Sequence, residues 1–332
     1  MSTEEQPPSK RQRVEAAPEA IEPMQIIRSD VWYDDGNVVL QAQGTQFKFY
    51  RGILAHSSPV FKDMFTIPQP ASVDTQLVDG CPVVHLFDLA EDVKYILRAL
   101  CPERHMLSGT TELPFAVLSA YLCLGQKYDI HELYHESKKR IFQDIPATLD
   151  AYDVMPVGPT KYEHMELVQL AHRTGLLSIL PYAYFSCCKA YSTQQITEGI
   201  QKPDGSMVFL SPQDQIVCLA GFCGMLSSQL STTLSWLYEL DSVGYECENR
   251  ERCLKARQTI IGQTVSPQRA LMGLDAWHIG WSYEGLCPEC KYAAQDIHSD
   301  GRIDFWDVLP ELFKLPSWIE LLKERDESSI EA

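Results

Sequence analysis

FKFYRGILAHSSPVFKDMF, residues 47–65, decides how the first half of this chain is read. Phe47 and Phe49 alternate with Lys48 and Tyr50, the two-residue period of a half-buried strand. Ser58-Pro59 then makes a helix start, with a hydroxyl to cap free N–H groups and a ring that presets φ. Val60, Phe61, Met64 and Phe65 follow on one apolar stripe. No residue of the stretch is placed for chemistry, so its composition serves packing.

Working outward, DVWYDDGNVVLQAQGTQFKFY (30–50) carries two turn signals, Asp35-Gly36 and Gly44, between apolar runs, and predicts hairpins. Downstream, CPVVHLFDL (81–89) reads as a short buried strand. Val93, Ile96, Leu97 and Leu100 then recur at helical spacing, and two more helices fit 113–124 and 130–142. Strands followed by helices that fold back over them describe an α+β domain of roughly 110–120 residues, a normal domain size. Beyond Ile145 the strand signal fades. YEHMELVQLAHRTG, LPYAYFSCCKAYS, SPQDQIVCLAGFCGML and NRERCLKARQTIIGQTV all carry helical apolar stripes. The predicted organisation is a tail over 1–24, an α+β domain over 25–145 and an all-α domain over 146–332.

The tail is rich in Glu, Pro, Ser and Ala without periodic apolar positions, which predicts disorder. Within it Lys10, Arg11 and Arg13 resemble a single-cluster nuclear import signal, and read equally as a solvated charge run. The formal charge of −17 opposes broad binding to phosphate backbones, so direct nucleic-acid contact is not expected. MSTEEQPPSK lacks the apolar segment of a signal peptide. The longest apolar run, LPFAVLSAYLCLG (113–125), is too short for a bilayer and reads as a buried helix. Eleven cysteines without a secretion signal suggest a reducing compartment, nucleus or cytoplasm, where thiols stay free or bind metal.

The order of these elements is similar to a known family. FKFYRGILAHSSPVFKDMF, PVVHLFD and FAVLSAYLCLGQKYDIHELY together resemble a BTB/POZ domain, particularly of the fungal branch. The match rests on Phe47, Arg51 and Leu54, on the Ser58-x-x-Phe61 helix start, and on Leu124, Gly125, Lys127 and Tyr128. LVQLAHRTGLLSILPYAYFSC, LSPQDQIVCLAG and FWDVLPELFKLPSWIELL extend the resemblance into the helical half. Tyr50 stands where the family usually has histidine. The resemblance implies a small sheet covered by helices and a non-enzymatic interaction module that forms homodimers. It also implies partners such as a cullin-type ubiquitin ligase scaffold, for which the protein would be a substrate adaptor, or a nuclear transcription or chromatin assembly. Asp30 and Arg51 are the positions matching the charged pair at the dimer interface of relatives.

Three motifs point to chemistry instead. HELYH (131–135) matches the zinc hydrolase signature, in which two histidines one turn apart hold metal and a glutamate polarises water. Its apolar stripe of Ile130, Leu133, Tyr134, Ser137 and Ile141 places both histidines toward solvent. A hydrolase would need Glu163, Glu166 or His172 to approach as a third ligand. DIHSDGRIDFWD (296–307) resembles an EF-hand loop, with Gly301 at the turn but His298 where an oxygen ligand belongs. It reads otherwise as a structural turn. Finally, Cys287-Pro-Glu-Cys290 is half of a tetrahedral zinc site, and Cys247 and Cys253 can complete it within a 44-residue stretch. Buried free thiols, or a metal-free helix start, are the plainer readings of the same cysteines. No cofactor is required by the scaffold reading; a structural zinc is the candidate. Cys187 and Cys188, adjacent on one helix, are expected to point apart, and Trp277, Trp281, Trp306 and Trp318 to pack in the core.

Overall fold

The computed structural model describes residues 26–67, 77–101, 113–155, 161–238, 246–264, 271–277 and 285–330. Lys10, Arg11, Arg13 and Trp281 lie outside them. The chain is mixed α+β, with a curled five-stranded sheet first and mostly helices after it. The sheet-bearing part runs β1 (Ile27–Trp32), β2 (Val38–Ala42), β3 (Thr45–Phe49), α1 (Arg51–Ser57), α2 (Pro59–Thr66), β4 (Leu77–Val78), β5 (Cys81–Leu86), α3 (Ala90–Ala99), α4 (Phe115–Lys127) and α5 (His131–Asp144). In the sheet the order is β1-β3-β2-β5-β4.

One of the two predicted hairpins forms. β2 and β3 are antiparallel and are joined through Gln43 and Gly44, both at positive φ, the backbone a tight two-residue hairpin needs. Asp35-Gly36 does not make the other. β1 pairs in parallel with β3 and passes over it, while Asn37 N donates to Phe49 O at 3.0 Å. This leaves β3 interior and corrects its half-buried reading. Gln46 and Lys48 are buried along with the two phenylalanines. Their polar ends are satisfied internally, Gln46 Nε2 by Gln41 Oε1 at 2.8 Å and Lys48 Nζ by Asp34 O at 2.8 Å. β5, expected buried, is covered only at Cys81 and Leu86, its first and last residues.

Ser58 caps α2 as its sequence requires, its Oγ accepting from Phe61 N at 3.0 Å. Of the α2 stripe only Phe61 is fully buried, Met64 and Phe65 are half-buried, and Val60 faces solvent. α4 explains its own apolar run by serving two cores at once. Val117, Tyr121 and Leu124 join the sheet core, while Leu118 and Leu122 join the core of the helical half.

The helical half comprises α6 (Leu149–Asp153), α7 (His164–Thr174), a 3-10 turn (Leu177–Ile179), α8 (Leu180–Ala190), α9 (Thr193–Glu198), α10 (Pro212–Ser231), α11 (Ser235–Tyr238), α12 (Arg250–Thr264), α13 (Pro288–Leu312) and α14 (Trp318–Ile330). It is not all-α as expected. β6 (Ile200–Gln201) and β7 (Met207–Val208) form a small antiparallel hairpin whose turn contains Asp204 and Gly205. Trp306 is buried and stacks on Trp318 with ring centroids 5.2 Å apart. Trp277 packs beside Trp236 at 5.3 Å. Among the described residues no helix is long and apolar enough to cross a membrane.

The EF-hand reading is overturned here. Residues 296–307 are continuous helix inside α13, so their carboxylates radiate around an axis instead of wrapping an ion. Asp296, Asp300, Asp304 and Asp307 face solvent, and buried His298 meets Asp275 O at 2.9 Å through Nε2. Gly301 is needed for close approach. A Cβ there would stand 2.4 Å from the Thr232 carbonyl carbon and 2.5 Å from Thr233 N. Because the obstruction is backbone, Gly301→Ala is expected to cost about 1 to 3 kcal/mol of stability, as overpacked sites do. Chemical denaturation of the two proteins side by side measures it; equal midpoints would refute a tight crossing.

Candidate metal centre

The N-terminus of α13 sets the first half of the cluster. Pro288 at the opening helical position leaves Cys287 as the N-cap and Cys290 in the first turn. α12 supplies the second half. Asn249 Oδ1 accepts from Arg252 N at 3.0 Å to start that helix, Cys253 lies in its first turn, and Cys247 lies just before it. The two segments meet so that the four sulfurs all lie within 4.8 Å of one another. Cys287 Sγ is 3.9 Å from Cys247 Sγ, and Cys287 N donates to Cys253 Sγ at 3.3 Å. Cys253 and Cys290 are 0 % exposed, Cys287 is 9 % exposed and Cys247 is half-buried.

The donor set fits zinc. Tetrahedral Zn–S bonds of about 2.3 Å separate the sulfurs by roughly 3.8 Å, close to the spacing here. All eleven cysteines are free thiols. Burial pushes the Cys287 thiol up, but the N–H groups of Cys290 and Glu248 outweigh it and bring its pKa down to about 7. Burial raises the Cys253 thiol. Arg257, one turn after Cys253 on α12, is 2 % exposed. Burial pulls its pKa down, while the charges of Cys290, Cys253 and Cys247 pull it back up. Leu286 packs against both the cysteines and a neighbouring apolar cluster that holds Trp236, Ile260, Met272 and Trp277.

The other candidate positions have different fates. His131 is exposed and His135 half-buried on α5, with ring centroids 3.9 Å apart. The three residues named as a third ligand are engaged elsewhere. Glu163 accepts from Tyr191, Glu166 takes Lys202 Nζ at 2.9 Å, and His172 meets Asp214 at 2.9 Å. Among the described residues the four cysteines are the one convergent group of three or more ligand side chains. Asp30 and Arg51 are both exposed but have separate partners. Lys94, 3.0 Å from Asp30, together with Arg98, holds the Asp30 carboxyl down to about 2. Arg51 donates to Phe65 O and lies over the Phe65 ring at 5.1 Å.

Cys187 and Cys188 are both buried on α8, which is covered from Leu180 to Cys188, and the Cys188 thiol donates to Cys218 O of α10 at 3.3 Å. Sequence reading also missed Arg257 and the network in which buried Asp214 collects Tyr184, His172 and Ser211. A signal for Asp214 was present, since Ser211 and Pro212 mark the α10 start that it helps to cap.

No family model and no curated protein matches this chain.

Proposed function

We propose that this protein is a non-enzymatic interaction scaffold whose residues 25–145 form a BTB/POZ-type self-association module. Residues 146–332 form a helical domain that receives a partner. What carries this reading is that the two motifs behind the resemblance meet in space. Ser58 donates to Tyr128 O while capping α2, and the Phe61 and Tyr128 rings stack at 4.6 Å. Lys127 Nζ and the Tyr128 hydroxyl both reach Asp88 between β5 and α3, the ammonium at 2.6 Å. Gly125 lets α5 approach α4, since a Cβ there would lie 3.1 Å from Tyr134 N. These residues thus act as one joint between the helix pair α1–α2 and the helix pair α4–α5.

Surface chemistry supports a binding role. Beside that joint Phe87 is 99 % exposed and Leu89 is also exposed, an apolar pair offered to another chain. Asp30 and Arg51 belong to the partner face in this reading. A substrate adaptor for a cullin-type ligase is its most concrete form. In the same proposal the four cysteines hold a structural zinc ion. Protein sulfur fills all four positions, so the ion stabilises the fold and has no place for a substrate.

The full-length protein is expected to scatter light as a dimer at micromolar concentration and to dissociate on dilution. A strictly monomeric species across that range would sink the self-association reading. Affinity capture that recovers a cullin scaffold supports the adaptor form, and recovery of chromatin proteins alone favours a nuclear assembly.

A further inference from the structure

We propose that Arg257 is part of the metal centre, as the fixed positive charge that makes a buried tetrathiolate site tolerable; this rests on the zinc reading above. Four thiolates around one divalent ion carry a net charge of minus two. With Cys253 and Cys290 fully covered and Cys287 nearly so, that charge sits where water screens it little. Uncompensated buried charge is costly in a low-dielectric interior. Residues four apart on a helix share a face, so the Cys253–Arg257 spacing aims the guanidinium toward the same side as the ligand. Arg257 is itself buried, and the charges of Cys290, Cys253 and Cys247 act on its guanidinium. Centre and arginine are complementary in charge.

The role is electrostatic, and rescue by charge separates it from packing. Zinc content and zinc affinity, by competition with a chromophoric chelator, are measured on the full-length protein purified natively. Arg257→Gln is expected to weaken zinc binding about 10- to 100-fold, the usual cost of an outer-shell partner. Lys255→Gln, an exposed change on the same helix, is expected to leave affinity unaltered. Adding Cys247→His to Arg257→Gln replaces one thiolate by a neutral imidazole, and is expected to restore affinity, or folding where the single variant fails to fold. Wild-type affinity in Arg257→Gln overturns the proposal, and so does a loss that Cys247→His leaves unrepaired. Native wild-type protein free of zinc overturns the underlying zinc reading itself, an outcome distinct from both.

Discussion

Cys253→Ser is expected to empty the metal centre and unfold the α12–α13 junction while the sheet-bearing half keeps its structure. Cys253 is fully covered, receives the Cys287 N–H and lies in the first turn of α12, just after Cys247. Among the described residues the junction has few other ties. Three buried cysteines form one small cluster, and the adjoining one contains seven buried residues, among them Trp236 and Trp277. Such a layer buries too little apolar surface to replace an ion whose binding is worth about 10 to 16 kcal/mol in zinc-finger peptides. A loss of several kcal/mol would lower the melting temperature by on the order of 10 °C or more, at about 2 to 4 °C per kcal/mol. Zinc should fall from about one ion per chain to none, as in tetrathiolate structural sites generally. Fluorescence of the paired tryptophans should shift toward that of exposed indole. Removing the ion from wild-type protein with a chelator is expected to reproduce all three changes. A zinc-free wild-type protein whose melting curve the chelator leaves untouched would count against this account of the junction.

Arg325→Met is expected to release the last helix and loosen the contact between the two halves of the chain. Arg325 of α14 donates to Phe142 O at 3.1 Å and Ile145 O at 3.0 Å, carbonyls at the C-terminal end of α5. Its Nε donates to Ser178 Oγ at 3.0 Å, and the guanidinium lies over the Phe142 ring at 4.6 Å. Burial lowers its pKa to about 10, which leaves it charged at neutral pH. A cation at a helix C-terminus meets the negative end of the helix dipole as well as its unpaired carbonyls. The neighbouring Glu324 does the converse and accepts from Leu177 N, at 3.1 Å, and from Ser178 N in the 3-10 turn. Two adjacent side chains of α14 therefore read two helix ends of opposite polarity. Removing the arginine leaves part-buried carbonyls unpaired, which costs about 1 to 3 kcal/mol for each acceptor left unsatisfied. Glu324→Gln keeps an acceptor and is expected to cost less. Denaturant titration of the three proteins ranks them; a methionine variant within error of wild type would show that α14 docks by its apolar face alone.

Several features were legible in the residues because they are governed by neighbours within a turn or two. The Ser58 cap, the α3 to α5 periodicities and the Pro288 start that sets Cys287 and Cys290 side by side are of this kind. The Asp204-Gly205 turn was equally local and was passed over because its strands are two residues long.

The remainder depended on what each element met. DIHSDGRIDFWD has glycine and carboxylates at loop spacing, yet it is helix because Gly301 is the only residue type that lets α13 cross the Thr232–Thr233 backbone. Lys48 reads as solvent-facing from alternation alone, and it is buried because β1 chooses β3 as its partner and the 33–37 segment folds over it. Cys247 and Cys253 stood near the other pair in sequence, but their convergence to one point, with Arg257 behind them, required α12 and α13 to pack. By itself the sequence determined helix starts, turns and apolar faces, since these follow from short-range sterics and hydrogen bonding. Tertiary structure decided strand partners, buried charges and the metal-ready cluster, since burial and charge compensation depend on groups brought together from distant parts of the chain.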